Sequence, residues 1–267
     1  MKTRISFAEL SARERVRALL DPGTFRELID PFERMRSPYL AEQRIVAQSD
    51  DGVVVARGTL GGENAVIVAT DGRYLGGSIG EIGGAKIAGA LECAADAWAR
   101  NERTRVAILF DSGGIRLQEA NLGILAVAEI CDAIVALRAF TPVIAIVAGR
   151  VGVYGGMSIA ASLCSASIVS EGARVGLNGP DVVEEEAGLA ELDARDRPLV
   201  WRATGGRRRH AQGQATRFVT DDVDVIRAAL HELAIHATPI APIAPKIPID
   251  PTLSLADFDR ELGRRFS

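Results

Sequence analysis

The feature that most constrains the fold is a unit that occurs twice in the middle of the chain: a short apolar strand, a glycine-rich turn and a helix. The first copy occupies residues 106–110, 111–114 and 122–137, and the second occupies residues 143–148, 149–156 and 157–163. Strands that are apolar at nearly every position are typical of a sheet buried on both faces. Strands that alternate with helices predict parallel pairing. An α/β protein around a central sheet is expected.

The segments on either side of this pair extend the same pattern. Two valine-rich strands with Gly61-Gly62 between them predict a hairpin, and Ile87, Leu91, Ala94 and Trp98 recur at helical spacing. The remaining predicted elements are a lead-in helix at 11–20, strands at 52–59, 65–70 and 174–178, and helices at 181–187 and 223–236. We expect residues 1–238 to form a single domain, followed at 239–267 by a Pro-rich extended C-terminal tail with a short helix.

Charge and hydropathy exclude several classes of function. Acidic side chains outnumber basic ones, 35 to 31, so the chain has no general positive field for nucleic acid. The first ten residues lack the apolar core of a secretory signal, and the apolar run 141–148 is far shorter than the ~20 residues that cross a bilayer. We expect a cytoplasmic protein with no membrane span. Its three cysteines are single, which predicts no metal site.

The two glycine turns are the candidate chemistry. The first N–H groups of a helix have no intrahelical acceptor, and glycine lets a ligand approach the bare backbone. Gly113-Gly114 and Gly155-Gly156 therefore predict two amide pairs on one sheet, suited to an oxygen that becomes anionic during a reaction. The alternative is that these turns only reverse the chain, since Gly-Gly turns at strand ends are common.

The residues around the first turn carry a resemblance to a known family. The string 111–119, Asp-Ser-Gly-Gly-Ile-Arg-Leu-Gln-Glu, resembles the D-S-G-G-A-R-I-Q-E element of acyl-CoA carboxyltransferases. Further segments resemble carboxyltransferase landmarks in the same order, namely 12–15, 20–25, 76–81, 155–156 and 179–183. Within that superfamily, the chain length and the continuation to Ala120-Asn121 are most similar to the beta subunits of biotin-independent malonate decarboxylases.

The resemblance implies a crotonase-like fold with repeated β-β-α units. It also implies a malonate decarboxylase gamma subunit as partner, an acyl carrier protein that presents a malonyl thioester on a coenzyme-A-like prosthetic arm, and an acetyl thioester as product. Catalysis is expected from the amides of Gly113, Gly114, Gly155 and Gly156, with no metal and no biotin or other bound cofactor. Substrate contacts are expected at Ser112, Arg116, Gly77, Asn178 and Gly179.

Three side-chain assignments have alternatives. Arg116 suits a carboxylate or phosphate ligand, and it equally suits an ion pair with Glu119. The cationic run Arg207, Arg208 and Arg209 suits the carrier or its phosphates, and it equally suits a solvated loop. Ser112 and Ser158 are poor candidates for a nucleophile, because the three histidines all lie late in the chain.

Two other functions fit the same residues. The chain could be a carboxyltransferase subunit of a biotin-dependent acyl-CoA carboxylase or decarboxylase, although the four-cysteine zinc ribbon that usually begins bacterial acetyl-CoA carboxyltransferase beta subunits is missing before Leu20. It could also be a non-catalytic scaffold that docks the carrier protein and the partner.

Overall fold

A seven-stranded sheet forms the centre of the computed structural model, which describes residues 4–42, 44, 46 and 51–240. The strands lie side by side in chain order. They are β1 (Arg26–Leu28), β2 (Val53–Leu60), β3 (Glu63–Thr70), β4 (Arg105–Leu109), β5 (Val143–Val147), β6 (Ala166–Ser170) and β7 (Arg217–Val219). The first three strands pair antiparallel, and β3 to β7 pair parallel. The predicted α/β class with a central sheet is confirmed.

Helices cover both faces of this sheet. They are α1 (Ala12–Leu19), α2 (Glu81–Ala99), α3 (Asn121–Leu137), α4 (Gly155–Leu163), α5 (Pro180–Ala187), α6 (Arg197–Thr204), α7 (Gly206–Ala211) and α8 (Val223–His236). Residues of α2, α3 and α4 share one buried cluster with the sheet, and residues of α1 and α8 share the other. The alternation of strand side chains produces the two cores: in β4, Val106 and Ile108 face the first cluster, while Ala107 and Leu109 face the second.

A second, minimal strand layer follows the main strands. It consists of single-residue parallel bridges, which pair Ile79 with Ile115, Ser112 with Val153, and Val153 with Val175. Each bridge residue lies after a main strand and before the next helix. The main strand, the bridge and the helix therefore form one β-β-α unit, as the crotonase-like prediction requires. The carboxyl ends of β4, β5 and β6 lead directly into this layer.

The structure differs from the sequence predictions in several places, which include the unpredicted strand β1 and helix α6. The segment 174–178 is not a strand but a loop with isolated bridges, and the strand in this region is β6, which was missed because small and polar residues interrupt its apolar pattern. The short edge strand β7 was also missed. The arginine run 207–209 lies on helix α7 rather than in a loop.

Two further predictions concern the ends and the hydropathy of the chain. The tail at 239–267 falls outside the described residues from 241 onward, so the domain boundary stays a prediction. Within the described ranges, no helix combines the length and apolar character that a bilayer crossing requires.

The contact between α2 and α3 gives a test of the packing. A methyl group at Gly84 would overlap the Cβ atom of Ala126, whereas one at Gly89 of the same helix would meet no atom within 4 Å. We expect Gly84→Ala to lower the free energy of unfolding by ~1–3 kcal/mol because the helices must separate. Gly89→Ala is the matched control and should raise it by ~0.5–1 kcal/mol. Urea denaturation measures both, and equal effects would contradict this packing.

Candidate active site

The two predicted glycine turns lie against each other at the carboxyl ends of β4 and β5. The Ser112 N–H donates to the carbonyl of Gly152 (2.7 Å), and the Tyr154 N–H donates to the carbonyl of Ser112 (2.9 Å). The backbones are so close that a Cβ built on Gly114 would lie 3.4 Å from the Cα of Gly155. The parallel sheet therefore brings together two amide-bearing turns that are about 40 residues apart in sequence.

Hydrogen bonding separates the four predicted donors into two groups. The N–H of Gly113 donates to the carbonyl of Gly76 (2.9 Å), and the N–H of Gly155 donates to the carbonyl of Leu177 (2.7 Å). These two amides hold the turns in place and are not free for a ligand. The N–H of Gly114 makes only a long bond to the Ser112 hydroxyl (3.2 Å). For the N–H of Gly156, no acceptor exists among the described residues. Of the four predicted oxyanion donors, Gly114, with its long bond, and Gly156, with no acceptor in the described ranges, therefore remain as candidates.

Glycine is required at these two positions for different reasons. Gly114 has φ +118°, which L side chains rarely adopt. Gly156 lies in the first turn of α4 and packs against α3, so an added Cβ would come 2.7 Å from a methyl carbon of Val127. The sequence analysis overlooked one more donor, the N–H of Ile115, which has no acceptor in the described part of the chain. This donor can be identified only from the folded backbone, because an isoleucine in the sequence does not indicate a free amide.

The electrostatics of the site come from helix α4. Gly156 is the second residue of this helix, and its N-cap residue, Tyr154, supplies no side-chain cap. The first-turn amides and the helix dipole together favour negative charge at this end, by up to ~2 kcal/mol in a partly buried setting. The arrangement is suited to stabilising a developing oxyanion.

The serines near the turns are structural. Ser112 is 0% exposed, and its hydroxyl accepts a hydrogen bond from Gly114. Its predicted contact with substrate is therefore unsupported by the geometry of this chain. The Ser158 hydroxyl donates to the carbonyl of Gly155 (2.8 Å). Of the histidines, His231 and His236 lie on α8, across the sheet from α4, and burial lowers the pKa of His231.

Arg116 is engaged within the fold. Its guanidinium is buried, pairs with Glu119 (2.8 Å), and donates to the carbonyls of Asp51 and Ser78 (3.0 Å each). The Glu119 carboxylate also accepts from the Glu81 N–H (2.8 Å) at the start of α2. Of the two alternatives for Arg116, the ion pair with Glu119 is present, and most of the guanidinium donors are engaged within the chain.

The other predicted contact residues surround the turns. Gly77 has φ +66° and packs so closely on the backbone of Asp111 that a side chain would collide with its carbonyl oxygen. Asn178 is exposed and Gly179 is half-buried, and both follow Leu177, whose carbonyl holds the Gly155 amide. The structure therefore places these three residues at the same edge of the sheet as the glycine turns.

The arginine run lies further along this edge. Arg207 and Arg208 are exposed, and Arg207 stacks over the ring of Phe218 at 4.7 Å. Arg209 is half-buried and donates to the carbonyl of Val175 (3.0 Å). A cavity of about 640 Å³ lies between this region and α4, and its lining includes Ser158 and Arg209. Arg207 and Arg208 thus keep exposed surface for a partner, although Arg208 also donates to the carbonyl of Arg202 (2.6 Å).

The fold and its two glycine turns define a class: an α/β protein of the crotonase-like superfamily. Residues 7–259 match the carboxyl transferase domain family model. The chain is 38% identical over 232 residues to the malonyl-S-ACP:biotin-protein carboxyltransferase of Malonomonas rubra, covering 83% of this chain and 73% of that relative. The chain therefore belongs to the carboxyl transferase domain family.

Solved structures refine this placement. The crystal structure of a Pseudomonas malonate decarboxylase hetero-tetramer in complex with malonate contains a chain that is 51% identical, with a TM-score of 0.85, covering 98% of this chain and 92% of that one. A chain of the Pseudomonas malonate decarboxylase MdcD-MdcE hetero-dimer is 44% identical, with a TM-score of 0.75, covering 98% and 96%. The predicted resemblance to malonate decarboxylase is confirmed.

The buried position of Ser112 gives a test of its role. Ser112→Ala removes the acceptor of the Gly114 N–H, so we expect the free energy of unfolding to fall by ~1–2 kcal/mol. Ser158→Ala is the control, because it removes a hydroxyl donor to the second turn and leaves the Gly114 bond intact. A serine-directed fluorophosphonate, followed by mass spectrometry, should label neither residue. Labelling of Ser112 would show a nucleophile that the geometry excludes.

Proposed function

We propose that this chain is the beta subunit of a malonate decarboxylase. With a gamma subunit, it would decarboxylate a malonyl thioester on acyl carrier protein to an acetyl thioester, in the cytoplasm. The observation that carries the proposal is the 51% identity, over nearly the full length of both chains, to a chain of a malonate decarboxylase crystallised with malonate. The free Gly156 amide beside Gly114 supplies the chemistry that such a reaction needs.

The chemical step requires little from side chains. The bond between the carboxylate and the α-carbon breaks, carbon dioxide leaves, and the electron pair moves to the thioester oxygen as an enolate. The N–H groups of Gly114 and Gly156 would donate to that oxygen, and the helix dipole of α4 favours its charge. A proton then returns to the α-carbon from water or a partner side chain. The step calls for no biotin, metal or redox cofactor.

A gamma subunit would complete the site. Large apolar side chains stand exposed around the glycine turns, which is unusual unless another surface covers them. They are Leu117 just after the first turn, Ile124 and Leu125 at the start of α3, Ile159 on α4, and Leu177 beside Gly155. A partner of related fold on this surface would exclude water from the amides and strengthen their interaction with the enolate.

The carrier would approach from the arginine side. Arg207 and Arg208 are exposed at the end of the same edge, and cations there suit the phosphates of a coenzyme-A-like prosthetic arm. Arg209 would shape the cavity wall, since its guanidinium is held by Val175 and Gln214. Gly77, Asn178 and Gly179 would line the path between the carrier and the amides.

A second candidate function has support from one relative. The Malonomonas rubra protein carries the name of a malonyl-S-ACP:biotin-protein carboxyltransferase. In such an enzyme, the same amides would stabilise the same enolate while the carboxyl group passes to biotin. The backbone geometry of the two reactions is shared, so the acceptor of the carboxyl group decides between them.

Avidin distinguishes the two functions. The complex, co-expressed with its candidate partners and purified, should convert malonyl thioester to acetyl thioester at the same rate with and without avidin, because no biotin carries the carboxyl group. A released carbon dioxide assay and mass spectrometry of the carrier-bound acyl group measure both products. Inhibition by avidin would favour the carboxyltransferase.

A proline at position 156 tests the amide itself, because proline has no N–H and is tolerated in the first turn of a helix. Val127→Ala would make room for a side chain at this position. In that background we expect Gly156→Pro to lower kcat by about two orders of magnitude, since one oxyanion donor supplies ~3 kcal/mol. Gly156→Ala in the same background keeps the N–H and is the matched control. If the folded Gly156→Pro and Gly156→Ala variants turned over equally fast, the Gly156 N–H would have no catalytic role, and a non-catalytic scaffold would be favoured.

A further inference from the structure

The buried carboxylate of Asp111 joins the two glycine turns. Asp111 is the first residue of the first turn, and its Oδ1 accepts hydrogen bonds from the N–H groups of Val151 (2.8 Å) and Gly152 (3.3 Å) in the second turn. Gly152 is also the residue whose carbonyl accepts from Ser112. The second turn is therefore held to the first by two backbone hydrogen bonds, between Ser112 and Gly152 and between Tyr154 and Ser112, and by this side chain.

Arg15 fixes the orientation of that carboxylate. Its Nη1 lies 2.9 Å from the Oδ2 of Asp111, and the two side chains are only 5% and 3% exposed. The remaining donors of Arg15 reach the carbonyls of Phe7 (2.9 Å) and Ala8 (2.8 Å). Each of the three guanidinium nitrogens therefore has an acceptor, and both oxygens of Asp111 accept hydrogen bonds in this orientation.

Glycines make room for the carboxylate on two sides. A Cβ at Gly72 would lie 2.7 Å from the Cγ of Asp111, and one at Gly149 would collide with the carboxylate outright. The carboxylate is thus enclosed by the backbone on either side of it.

Stability alone is a weak explanation for this ion pair. Burying two charges costs desolvation that offsets most of their attraction, and apolar replacements of buried pairs are often neutral. The contacts indicate instead that the ion pair fixes the relative position of the two turns. The distance between the Gly114 and Gly156 amides is set by how the second turn rests on the first, and Asp111 holds the point where they meet.

We infer that Arg15 and Asp111 are positioning residues that set the separation of the Gly114 and Gly156 N–H groups. This inference rests on the proposed function, in which those two amides bind the enolate oxygen. Neither side chain touches the substrate. Their effect is on the transition state, because donors must lie within about 0.5 Å of their required place, and a 1 Å error costs on the order of 100-fold in rate.

Two double variants isolate the contact to the second turn. Arg15→Met with Asp111→Asn removes both charges and keeps an oxygen that accepts from Val151 and Gly152. Arg15→Met with Asp111→Leu removes the charges and the acceptor, with a side chain of similar size. We expect the Leu variant to show a kcat ~10–100-fold below the Asn variant, with KM within about threefold, because the substrate contacts are unchanged.

Lys86→Met is the control for general destabilisation. It breaks the Lys86–Asp51 ion pair, which has the same N···O distance of 2.9 Å, similar burial, at 5% and 13% exposure, and no contact with the glycine turns. Turnover of the folded Lys86→Met complex should match wild type even though its stability falls. A kcat loss in this variant as large as in the Leu variant would overturn the inference.

Amide hydrogen exchange gives a readout that does not depend on turnover. In the Leu variant, exchange should accelerate within residues 149–156 relative to the Asn variant, and the rest of the sheet should be unchanged. This result would hold even if the wild-type complex had no activity on malonyl thioesters, in which case only the proposed function would fail. Equal exchange in this segment, or equal kcat in the two double variants, would overturn the inference.

Discussion

The site depends on the hydrogen bonds that join the backbones of two turns. Parallel pairing of β4 with β5 places the ends of both strands at one edge of the sheet, and bonds between Ser112, Gly152 and Tyr154 then fix one turn on the other. Each bond contributes only ~1 kcal/mol net. Their joint effect is geometric, because the direction of the Gly156 amide follows from the path of residues 152–155.

This construction explains why so many polar groups near the site are engaged internally. The amides of Gly113 and Gly155, the hydroxyl of Ser112 and the guanidinium of Arg116 all bind parts of the chain. Buried polar groups without partners are costly, so a turn that must keep one amide free needs every neighbouring group satisfied. Beside the two turns, the N–H groups of Ile115 and Gly156 have no acceptor among the described residues, so these backbone donors are the informative ones.

Some of the site could be predicted because it follows from local rules. The strands 106–110 and 143–148 are apolar and short, the glycines follow directly, and parallel strands bring such turns to one edge. The roles of Gly113 and Gly155 could not be predicted, since their acceptors, Gly76 and Leu177, are distant in sequence. For Arg116 the local partner Glu119 was foreseeable, but not the carbonyls of Asp51 and Ser78 that complete its contacts.

The sequence by itself determined the class of the fold, the central strand-turn-helix units and the position of two glycine turns, because hydrophobic period and glycine placement act over a few residues. Only the tertiary structure decided which amides are free, that Ser112 is buried and that Arg15 meets Asp111 across 96 residues of chain. Those outcomes depend on the register between strands and on close backbone packing. Neither is encoded in any single segment, since each is fixed by groups that meet only when the sheet has formed.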